Sequence, residues 1–511
     1  MAESTAMLSG VGPGVLVEPL TGRECNPSAL RPEVLLRLSF YRAHGVGPGD
    51  RVFVHYGNRI EFFADLLAIW ELGASVVPLD PTLTAFQLVN LARVAKPRLS
   101  LWHPTLDAAA AGDLAAEGAA CIVSPALGST PTAKEVARAH DVALDDEALI
   151  LFTSGTTGSP KGVVHTHRSL RARWDGLRAS LGLEKFRRTL CLLPTHFGHG
   201  LICNALFPWL SGQTVIVVPP FQARVTSQLG ALIDEHQITC LSSVPSLWTL
   251  ALRLAAPPRT ATLARVLCGS APLSAALWRS IQTWAGTRDV LNAYGLTETG
   301  SWVAGTTVPD FVPEDGLIGE PWGATIRILP QGNTNGGFSA PIECAPGEEG
   351  YVWIKTPALM REYLGREDLT RHAVAAGWLL TGDIGYVDDR GRLYLRGRER
   401  EEINKGGIKV HPADIEAAAQ AGASMLETCS FAVDDPLYGQ NVALALVVDP
   451  EDETALRAIY RGLTARLAPH QIPSRWYAVA EIARTANGKI DRQETARRCA
   501  ALAPLDTKKL K

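Results

Sequence analysis

The chain contains 511 residues, of which 46% are hydrophobic and 20% are charged, and its formal net charge is −3. These values are typical of a globular protein that is too long for one hydrophobic core, so we expect two or more domains. A chain so close to neutral has no general electrostatic attraction for nucleic acid or for an anionic membrane.

The first part of the chain alternates between strand and helix patterns. A helix can begin at Asn26-Pro27, and a β-branched strand follows at 51–54. A helix at about 61–72 then leads to a strand at 74–78. The recurrence of this order predicts parallel βαβ units with helices on the faces of a sheet.

The alternation continues beyond the middle of the chain. We predict further strands and helices at 215–218, 227–236, 241–243, 246–254 and 265–268. After about residue 305, short strands and Gly/Pro turns predict a β-rich subdomain. Beyond the charged segment GRERE at 397–401, alternating strands and one amphipathic helix predict a small α+β unit.

These patterns together predict an α/β protein with two domains. Residues 1–397 would form a large N-terminal domain of βαβ-type sheets plus the β-rich subdomain. Residues 398–511 would form a small α+β domain. The charge cluster between them is typical of a surface hinge near Arg400, although a solvated turn has the same composition.

The stretch 151–167, LFTSGTTGSPKGVVHTH, combines glycines, hydroxyl residues and one lysine. Glycines allow backbone N–H groups to turn inward toward an anion, while Ser and Thr hydroxyls add donors and Lys adds charge. The stretch is not a Walker A loop, because G-x-x-x-x-G-K-[ST] is absent and a strand pattern follows Lys161. We interpret it as a phosphate-binding loop, the alternative being an ordinary hairpin connection.

Five segments in order resemble those of the acyl-adenylate-forming superfamily, which includes acyl- and aryl-CoA ligases, peptide-synthetase adenylation domains and firefly-type luciferases. They are TSGTTGSPKG at 153–162, NAYGLTET at 292–299, GWLLTGD at 377–383, GRERE at 397–401 and RTANGKIDR at 484–492. The resemblance runs from about residue 49 to residue 492. It implies that a carboxylate attacks the α-phosphate of ATP to give an acyl-adenylate and pyrophosphate, after which a thiol displaces AMP.

The resemblance assigns a nucleotide site to this chain. Its members would be Thr153, Ser154, Gly155, Thr156, Thr157, Gly158, Lys161, Ser270, Ala271, Asn292, Ala293, Tyr294, Gly295, Asp383 and Arg398. The loop would hold the β- and γ-phosphates, Tyr294 would stack on adenine, and Asp383 and Arg398 would bind the ribose. Outside this context, Tyr294 reads as a core residue at a strand end and Asp383 as a turn residue.

The resemblance also assigns the catalytic residues. Thr297 would donate to the α-phosphate, Glu298 would hold Mg²⁺, and Lys489 would bridge the α-phosphate and the carboxylate. Taken alone, Glu298 could be a helix cap and Lys489 a solvated turn residue.

The resemblance also implies that the small domain, residues 398–511, is a mobile lid that rotates after adenylation. Arg400 would be the hinge, and Gly406-Gly407 would line the thiol tunnel or form a simple turn. Three positions depart from the family pattern. Ala483 stands where Pro is common, Arg400 stands where Asp or Lys is usual, and Glu362-Tyr363-Leu364 stands where Gly-Tyr is expected.

The acid is expected to bind near the segment LPTHFGHGL at 193–201. The expected pocket residues are His196, Phe197, His199, Trp248, Ser301 and Trp302, and Ser270 is a further wall residue. Gly198 occupies the position where amino-acid-activating domains usually carry Asp, which disfavours an α-amino acid. The two tryptophans favour an aryl or a short-to-medium acyl group. Neither His196/His199 nor His165/His167 has a Cys or carboxylate partner at ligand spacing, so we expect no zinc site.

The acceptor is less defined. The chain contains no carrier attachment signature (G-x-x-S-[LIM]) after Lys489, so CoA, the phosphopantetheine of a separate carrier protein, or an amine would accept the acyl group. We favour an acid–CoA ligase that uses ATP and Mg²⁺. The alternatives are an adenylating enzyme that serves a carrier protein or an amine, and a non-catalytic homologue that binds nucleotide or adenylate.

The cysteines and the N-terminus favour the cytoplasm. Nine cysteines are scattered without a C-x-x-C pair, which fits a reducing compartment better than a disulfide framework. The N-terminal MAESTAMLSGVGPG has no basic segment and no apolar core, so we expect no signal peptide. No apolar run approaches the roughly 20 residues of a membrane helix. The expected partner is a small carboxylic acid, with a separate carrier protein as a further possibility.

Overall fold

The computed structural model describes residues 12–507, with internal gaps. The internal residues outside the description are 106, 130–139, 154–160, 221–222, 308–310, 331–342, 399–400, 402, 406–407, 424–425, 436–438, 468, 470 and 486–487. No helix within the described ranges is long and apolar enough to cross a membrane.

Three sheets organise the described chain. Their strands are β1 Leu16–Glu18, β2 Arg23–Cys25, β3 Arg51–Val54, β4 Ser75–Pro78, β5 Leu99–Trp102, β6 Ala120–Val123, β7 Glu147–Thr153, β8 Lys161–Thr166, β9 Arg188–Cys191, β10 Thr214–Val217, β11 Cys240–Ser243, β12 Arg265–Gly269, β13 Val290–Leu296, β14 Ser301–Gly305, β15 Leu317–Pro321, β16 Thr325–Leu329, β17 Gly350–Lys355, β18 Glu362–Tyr363, β19 Val374–Ala375, β20 Trp378–Val387, β21 Leu393–Arg398, β22 Ile403–Lys405, β23 Ile408–Val410, β24 Thr428–Asp435, β25 Gly439–Leu446 and β26 Arg475–Ala478.

Helices connect and cover these sheets. The α-helices are Pro27–Ala43, Ile60–Glu71, Ala85–Ala95, Ala108–Ala116, His167–Leu181, Phe207–Leu210, Ala223–Ser227, Leu229–His236, Pro245–Leu254, Ala275–Ala285, Glu367–Ala373, Pro412–Gly422, Glu453–Arg466 and Arg492–Cys499. Short 3₁₀ turns span Glu184–Phe186 and Thr297–Thr299, and a π-helix spans His199–Leu206. The sequence patterns did not predict the π-helix, because a run of buried apolar residues looks the same in either helix type.

The first sheet changes direction next to the turn Thr297–Thr299. Its strand order is β16-β17-β20-β21-β15-β14-β13-β12-β11-β9-β10-β1-β2, with β19 beside β20. Strand β13 pairs in parallel with β12 and antiparallel with β14. The later part of the predicted βαβ region, β9 to β13, and the predicted β-rich part therefore belong to one continuous sheet.

The second sheet has the order β18-β8-β7-β4-β3-β5-β6. Strands β7, β4, β3, β5 and β6 are parallel neighbours, as the alternating pattern predicted. Strand β8 returns antiparallel to β7, so residues 154–160 connect two strands whose ends, Thr153 and Lys161, are paired. This sheet positions both ends of the predicted phosphate loop.

The third sheet, β23-β22-β25-β24 with β26 beside β25, lies in the C-terminal part of the chain. The helices Pro412–Gly422 and Glu453–Arg466 cover one of its cores, which includes Ile415, Ile459 and Trp476. They approach closely at Gly462, where an added Cβ would lie 2.7 Å from the carbonyl oxygen of Ala418. Glycine permits this approach because it has no side chain.

A buried carboxylate joins the first two long helices to the second sheet. Asp65 accepts hydrogen bonds from Arg37 and Tyr56, from the Tyr41 hydroxyl at 2.5 Å and from the Ser124 hydroxyl at 2.6 Å. The side chains of Arg37 and Asp65 are fully buried. The pair is therefore tolerable only while both charges are present.

We expect Asp65→Ala to destabilise the N-terminal part by about 3–5 kcal/mol, because it removes the buried carboxylate that accepts from the Arg37 guanidinium and leaves only Glu33, at 3.5 Å from Arg37 Nε, as a carboxylate partner. Urea unfolding followed by far-UV circular dichroism measures this loss. Asp145→Ala is the matched control, since Asp145 forms an exposed pair with Arg168. Equal midpoint shifts for the two variants would contradict the role given to Asp65.

Candidate active site

A single cavity of about 330 Å³ is lined by 11 of the 19 predicted site residues that the structure describes. The parallel strands β12 and β13 end at this cavity, and the carboxyl edge of a parallel sheet is where such folds bind ligands. The predicted residues that line it are Thr153, Lys161, Phe197, His199, Ser270, Gly295, Thr297, Glu298, Ser301, Arg398 and Lys489. They come from the first sheet, the second sheet and the C-terminal part of the chain.

The predicted phosphate loop begins and ends at the cavity. Thr153 and Lys161 are the last paired residues of β7 and β8 before the connection 154–160, and both line the cavity. The remaining predicted loop residues, Ser154, Gly155, Thr156, Thr157 and Gly158, lie outside the described residues. The same holds for the predicted hinge residue Arg400 and for Gly406 and Gly407 of the predicted thiol tunnel.

Two buried side chains bind the backbone carbonyl groups of the turn Thr297–Thr299. His165 Nε2 lies 2.8 Å from the carbonyl oxygen of Thr297. Burial lowers the pKa of His165 to about 4, so the ring is neutral, and because a carbonyl only accepts, Nε2 carries its proton. Arg173 Nε donates to the carbonyl oxygen of Thr299 at 3.2 Å. Both contacts fix the backbone that presents Thr297 and Glu298 to the cavity.

Arg173 is a buried cation that binds neutral groups. It donates to the carbonyl oxygen of Trp322 at 2.8 Å and to the Thr356 hydroxyl at 3.2 Å. Burial lowers its pKa to about 10, which still leaves it protonated at neutral pH. The guanidinium therefore ties the helix His167–Leu181 to the catalytic turn and to the β-rich half of the first sheet.

Glu298 is the sole carboxylate among the described residues that line the cavity. Its Oε1 accepts a hydrogen bond from the Tyr363 hydroxyl at 2.6 Å. Tyr363 belongs to strand β18, which pairs with Val163 on β8, and Lys161 Nζ lies 5.6 Å from the centre of its ring. A tyrosine and a lysine from one sheet thus flank the carboxylate presented by another.

This arrangement suits a magnesium ion that is shared with a phosphate ligand. Within the described ranges, no three His, Cys, Asp or Glu residues cluster as a complete metal site. Mg²⁺ is usually bound by one or two carboxylates together with substrate phosphates and water. The single hard oxygen ligand at Glu298, next to the ends of the predicted phosphate loop, fits that requirement.

Asp383 lies in a buried network behind the cavity. Arg398 Nε lies 2.8 Å from Asp383 Oδ1, and the Tyr294 hydroxyl donates to Asp383 Oδ2. Burial, and then the charge of Asp383, raise the pKa of Tyr294 well above its usual value, so the hydroxyl remains a donor. Asp383 and Arg398 are also paired across strands β20 and β21. The sheet register itself fixes this ion pair.

Lys489 reaches the cavity from the C-terminal part of the chain. Its Nζ lies 5.9 Å from the centre of the Phe197 ring. A tight turn presents it, since Thr485 N donates to the carbonyl oxygen of Lys489 at 2.8 Å and Gly488 adopts a positive φ of 75°. Partial loss of hydration at the ammonium, and then the charge of Arg398, lower the pKa of Lys489. Part of the side chain remains exposed, and the residue lines the cavity together with Thr297, Glu298 and Arg398, which are predicted to act with it.

Several predicted residues do not line this cavity. Trp248 is fully buried, with its Nε1 donating to the Ser243 hydroxyl at 2.7 Å. His196 lies 3.6 Å from Asp80. The other predicted residues outside the lining are Ala271, Asn292, Ala293, Tyr294, Asp383 and Trp302.

Three residues of the site were missed by sequence reasoning. Tyr363 was noted only as a departure from the family pattern, and His165 only as a residue without metal partners. Their roles become visible when β18, β8 and the turn Thr297–Thr299 meet in space. Arg173 gave no signal, because an arginine on an amphipathic helix normally indicates a solvated face.

Comparisons with known proteins agree with this geometry. A family model described as AMP-binding enzyme matches residues 39–364. The 2-succinylbenzoate–CoA ligase of Bacillus licheniformis is 31% identical, over 89% of this chain and 90% of that protein. The fatty acid–[acyl-carrier-protein] ligase ScoC of Streptomyces coeruleorubidus is 30% identical, over 94% of this chain and 92% of that protein.

A solved structure shows the same fold. The ATP-bound MatB of Rhodopseudomonas palustris superposes with a TM-score of 0.83 at 23% identity, covering 98% of this chain and 99% of that one. The predicted α/β fold, family resemblance and ligase class are thereby confirmed. The chain belongs to the family of AMP-binding enzymes.

Proposed function

We propose that the enzyme activates a carboxylic acid with ATP as an acyl-adenylate and then transfers the acyl group to CoA. The observation that carries this proposal is the position of Lys489 beside Phe197, in one cavity with Thr297, Glu298 and Arg398. A cation, a hydroxyl donor and a lone carboxylate are the groups that an attack of carboxylate on phosphate requires.

The first step joins two anions. A carboxylate oxygen attacks the α-phosphorus, and the bond between that phosphorus and the bridging oxygen breaks. Pyrophosphate leaves with the electron pair. Because like charges repel strongly in a site shielded from water, catalysis consists mainly of positioning and charge neutralisation. We assign neutralisation of the reacting oxygens to Lys489 and Thr297.

The nucleotide is held by the remaining groups. Lys161 and the loop that it closes would bind the β- and γ-phosphates, and Asp383 with Arg398 would bind the ribose. Mg²⁺ held by Glu298 would neutralise phosphate charge. Tyr363 orients that carboxylate through its 2.6 Å hydrogen bond. Tyr294 secures Asp383 from behind, in addition to the adenine contact that the family resemblance implies.

The second step needs a different arrangement. The thiol sulfur attacks the carbonyl carbon, the bond from that carbon to the AMP oxygen breaks, and AMP leaves with the electron pair. We propose that the part of residues 398–511 that follows Arg400 moves as a lid about that residue, withdrawing Lys489 and bringing Gly406-Gly407 to a thiol tunnel, while Arg398 in β21 stays paired with Asp383. The separate third sheet and its own cores support this division.

CoA is the acceptor that the relatives favour. The Bacillus licheniformis relative is named a CoA ligase, and its match spans nearly the whole chain. The Streptomyces relative is named for an acyl carrier protein, so loading of a separate carrier is the second candidate. A non-catalytic homologue is disfavoured, because Thr297, Glu298 and Lys489 all reach one cavity.

We expect ATP–pyrophosphate exchange that depends on an added acid, and AMP release that CoA accelerates in the presence of the same acid. A panel of aryl, fatty, amino and dicarboxylic acids, with and without CoA, measures both steps. Acid-dependent exchange without any effect of CoA would reject CoA as acceptor. Absence of exchange across the whole panel would reject adenylation.

We expect Lys489→Ala to slow adenylation by about 10²–10³-fold, the usual loss for one transition-state donor. The thioester step from preformed acyl-adenylate should be retained, because Lys489 has left the site by then. Quenched-flow measurement of both half-reactions tests this, with Lys355→Ala at an exposed strand end as the control. Equal losses in both steps would contradict the moving lid.

The lowered pKa of Lys489 gives the same residue a pH signature. As pH rises through that pKa, the ammonium loses its proton and adenylation should decline at a lower pH than a free lysine would allow. Lys489→Arg should be slower but should lack this alkaline decline, because guanidinium stays charged. An identical alkaline decline in both enzymes would assign it to another group.

We expect Tyr363→Phe to raise the Mg²⁺ concentration for half-maximal exchange by about tenfold, as loss of an orienting partner commonly does. The hydroxyl that holds Glu298 Oε1 would be missing while the aromatic ring remains. Titration of MgCl₂ at fixed ATP measures the change. Tyr386→Phe is the control, because Tyr386 stacks on Tyr394 away from the cavity lining. An unchanged requirement would remove Tyr363 from this role.

A further inference from the structure

The end of the cavity beyond Phe197 is polar. The His199 ring centre lies 6.1 Å from that of Phe197, whose ring Lys489 faces. His199 Nδ1 lies 2.8 Å from the Ser270 hydroxyl, and Nε2 lies 2.6 Å from the Ser242 hydroxyl. Ser270 and His199 line the cavity. A pocket for a purely apolar acyl group has no use for this arrangement.

His199 is neutral in this position. Burial, and then the charge of Lys489, lower the pKa of His199 to about 3. A neutral imidazole has one donor and one acceptor nitrogen, so one serine donates to the ring and the other accepts from it. The chain Ser242–His199–Ser270 can run in either direction. The Ser270 hydroxyl can consequently donate to a ligand or accept from one.

His199, Ser270 and Ser301 form a polar wall of the cavity. The two serines of this wall adopt a backbone conformation that serine seldom uses. Ser270 has a φ of 67° and Ser301 a φ of 74°, and both line the cavity. Glycine would adopt this left-handed conformation at lower cost. Non-glycine residues held there cluster at functional sites. The left-handed conformation therefore indicates that the hydroxyl groups of Ser270 and Ser301 have a role at this site.

Further hydrogen-bonding capacity lies behind this wall. The Trp302 ring packs edge-on against His199 with centres 5.1 Å apart. Trp302 Nε1 and both amide atoms of the buried Asn204 find no hydrogen-bond partner among the residues that the structure describes. Asn204 follows His199 by five residues in the π-helix, the spacing of one hydrogen bond in such a helix.

The cations that line this cavity already have assignments. Lys489, whose charge acts on His199, is assigned to the reacting oxygens, and Lys161 and Arg398 are assigned to the nucleotide. Among the described residues that line the cavity, no lysine or arginine is then left to pair with a second carboxylate or a sulfonate, and burying such a group without a partner is costly. The wall accommodates a polar group but not an anionic one.

We propose that the acid substrate carries a second, uncharged hydrogen-bonding group, a hydroxyl, amino or carbonyl, which Ser270 binds and His199 positions. This inference rests on the proposed adenylation. Acids of this kind include hydroxylated or aminated aryl acids and hydroxylated short-chain acids.

Acid-dependent pyrophosphate exchange by the wild-type enzyme tests the substrate class directly. The pairs are benzoate against its 2-, 3- and 4-hydroxy and amino derivatives, and butyrate against 3-hydroxybutyrate, with succinate and the phthalates as dianions. We expect the best substituted acid to exceed its parent by about tenfold or more in kcat/KM, because the parent leaves a polar site unpaired. A parent acid equal to its derivatives, or a dianion as the best substrate, overturns the proposal while leaving adenylation intact. No exchange with any acid overturns adenylation itself.

Variants assign the preference to this wall. Ser270→Ala and His199→Phe should raise KM for the substituted acid more than they lower kcat, so that the ratio of kcat/KM between substituted and parent acid falls toward one. Ser242→Ala should lower the ratio less, since His199 keeps its contact with Ser270. His55→Phe is the matched control, because His55 is also buried with a pKa lowered by burial to about 3, yet stacks on Trp102 outside the cavity lining. A ratio that survives both Ser270→Ala and His199→Phe, or falls equally in His55→Phe, overturns the assignment.

Discussion

The structure is organised around the need to bring two anions together. A carboxylate and a triphosphate repel each other, and a site shielded from water strengthens that repulsion. The described residues that line the cavity include the cations Lys489, Arg398 and Lys161 and a single carboxylate, Glu298. Asp383 lies behind, paired with Arg398 at 2.8 Å. The charges are distributed so that positive groups surround the reaction centre while each carboxylate has a partner.

The fold assembles this charge from separate elements. The reversal of the first sheet at β13 creates the turn that carries Thr297 and Glu298, and His165 and Arg173 fix that turn from below. The second sheet supplies Lys161 and, through β18, Tyr363. These parts share packed cores and need not move. Among the described residues that line the cavity, Lys489 alone follows β21 in the chain, and it lies on a short turn. A small lid can therefore withdraw this group for the second step.

The sequence predicted the architecture more fully than the site. Alternating strand and helix patterns located β3, β4, β11 and β12 within one or two residues, because parallel βαβ units leave a strong local signal. The five family-like segments located Thr297, Glu298 and Lys489. The partners that orient them were not predictable, because the Tyr363–Glu298 and His165–Thr297 contacts join residues 65 and 132 positions apart. That Trp248 is fully buried and does not line the cavity was equally unpredictable, because a tryptophan on a helix has the same local pattern whether it faces a ligand or the core.

In the proposed first step, an oxygen of the acid becomes bonded to the α-phosphorus. A carboxylic acid labelled with ¹⁸O in both carboxyl oxygens, turned over with ATP, Mg²⁺ and CoA, tests it by mass spectrometry of the products. We predict AMP that carries one ¹⁸O atom, a thioester that retains the other, and unlabelled pyrophosphate. Label in phosphate with ADP as the nucleotide product, or label in pyrophosphate with unlabelled AMP, would contradict attack on the α-phosphorus.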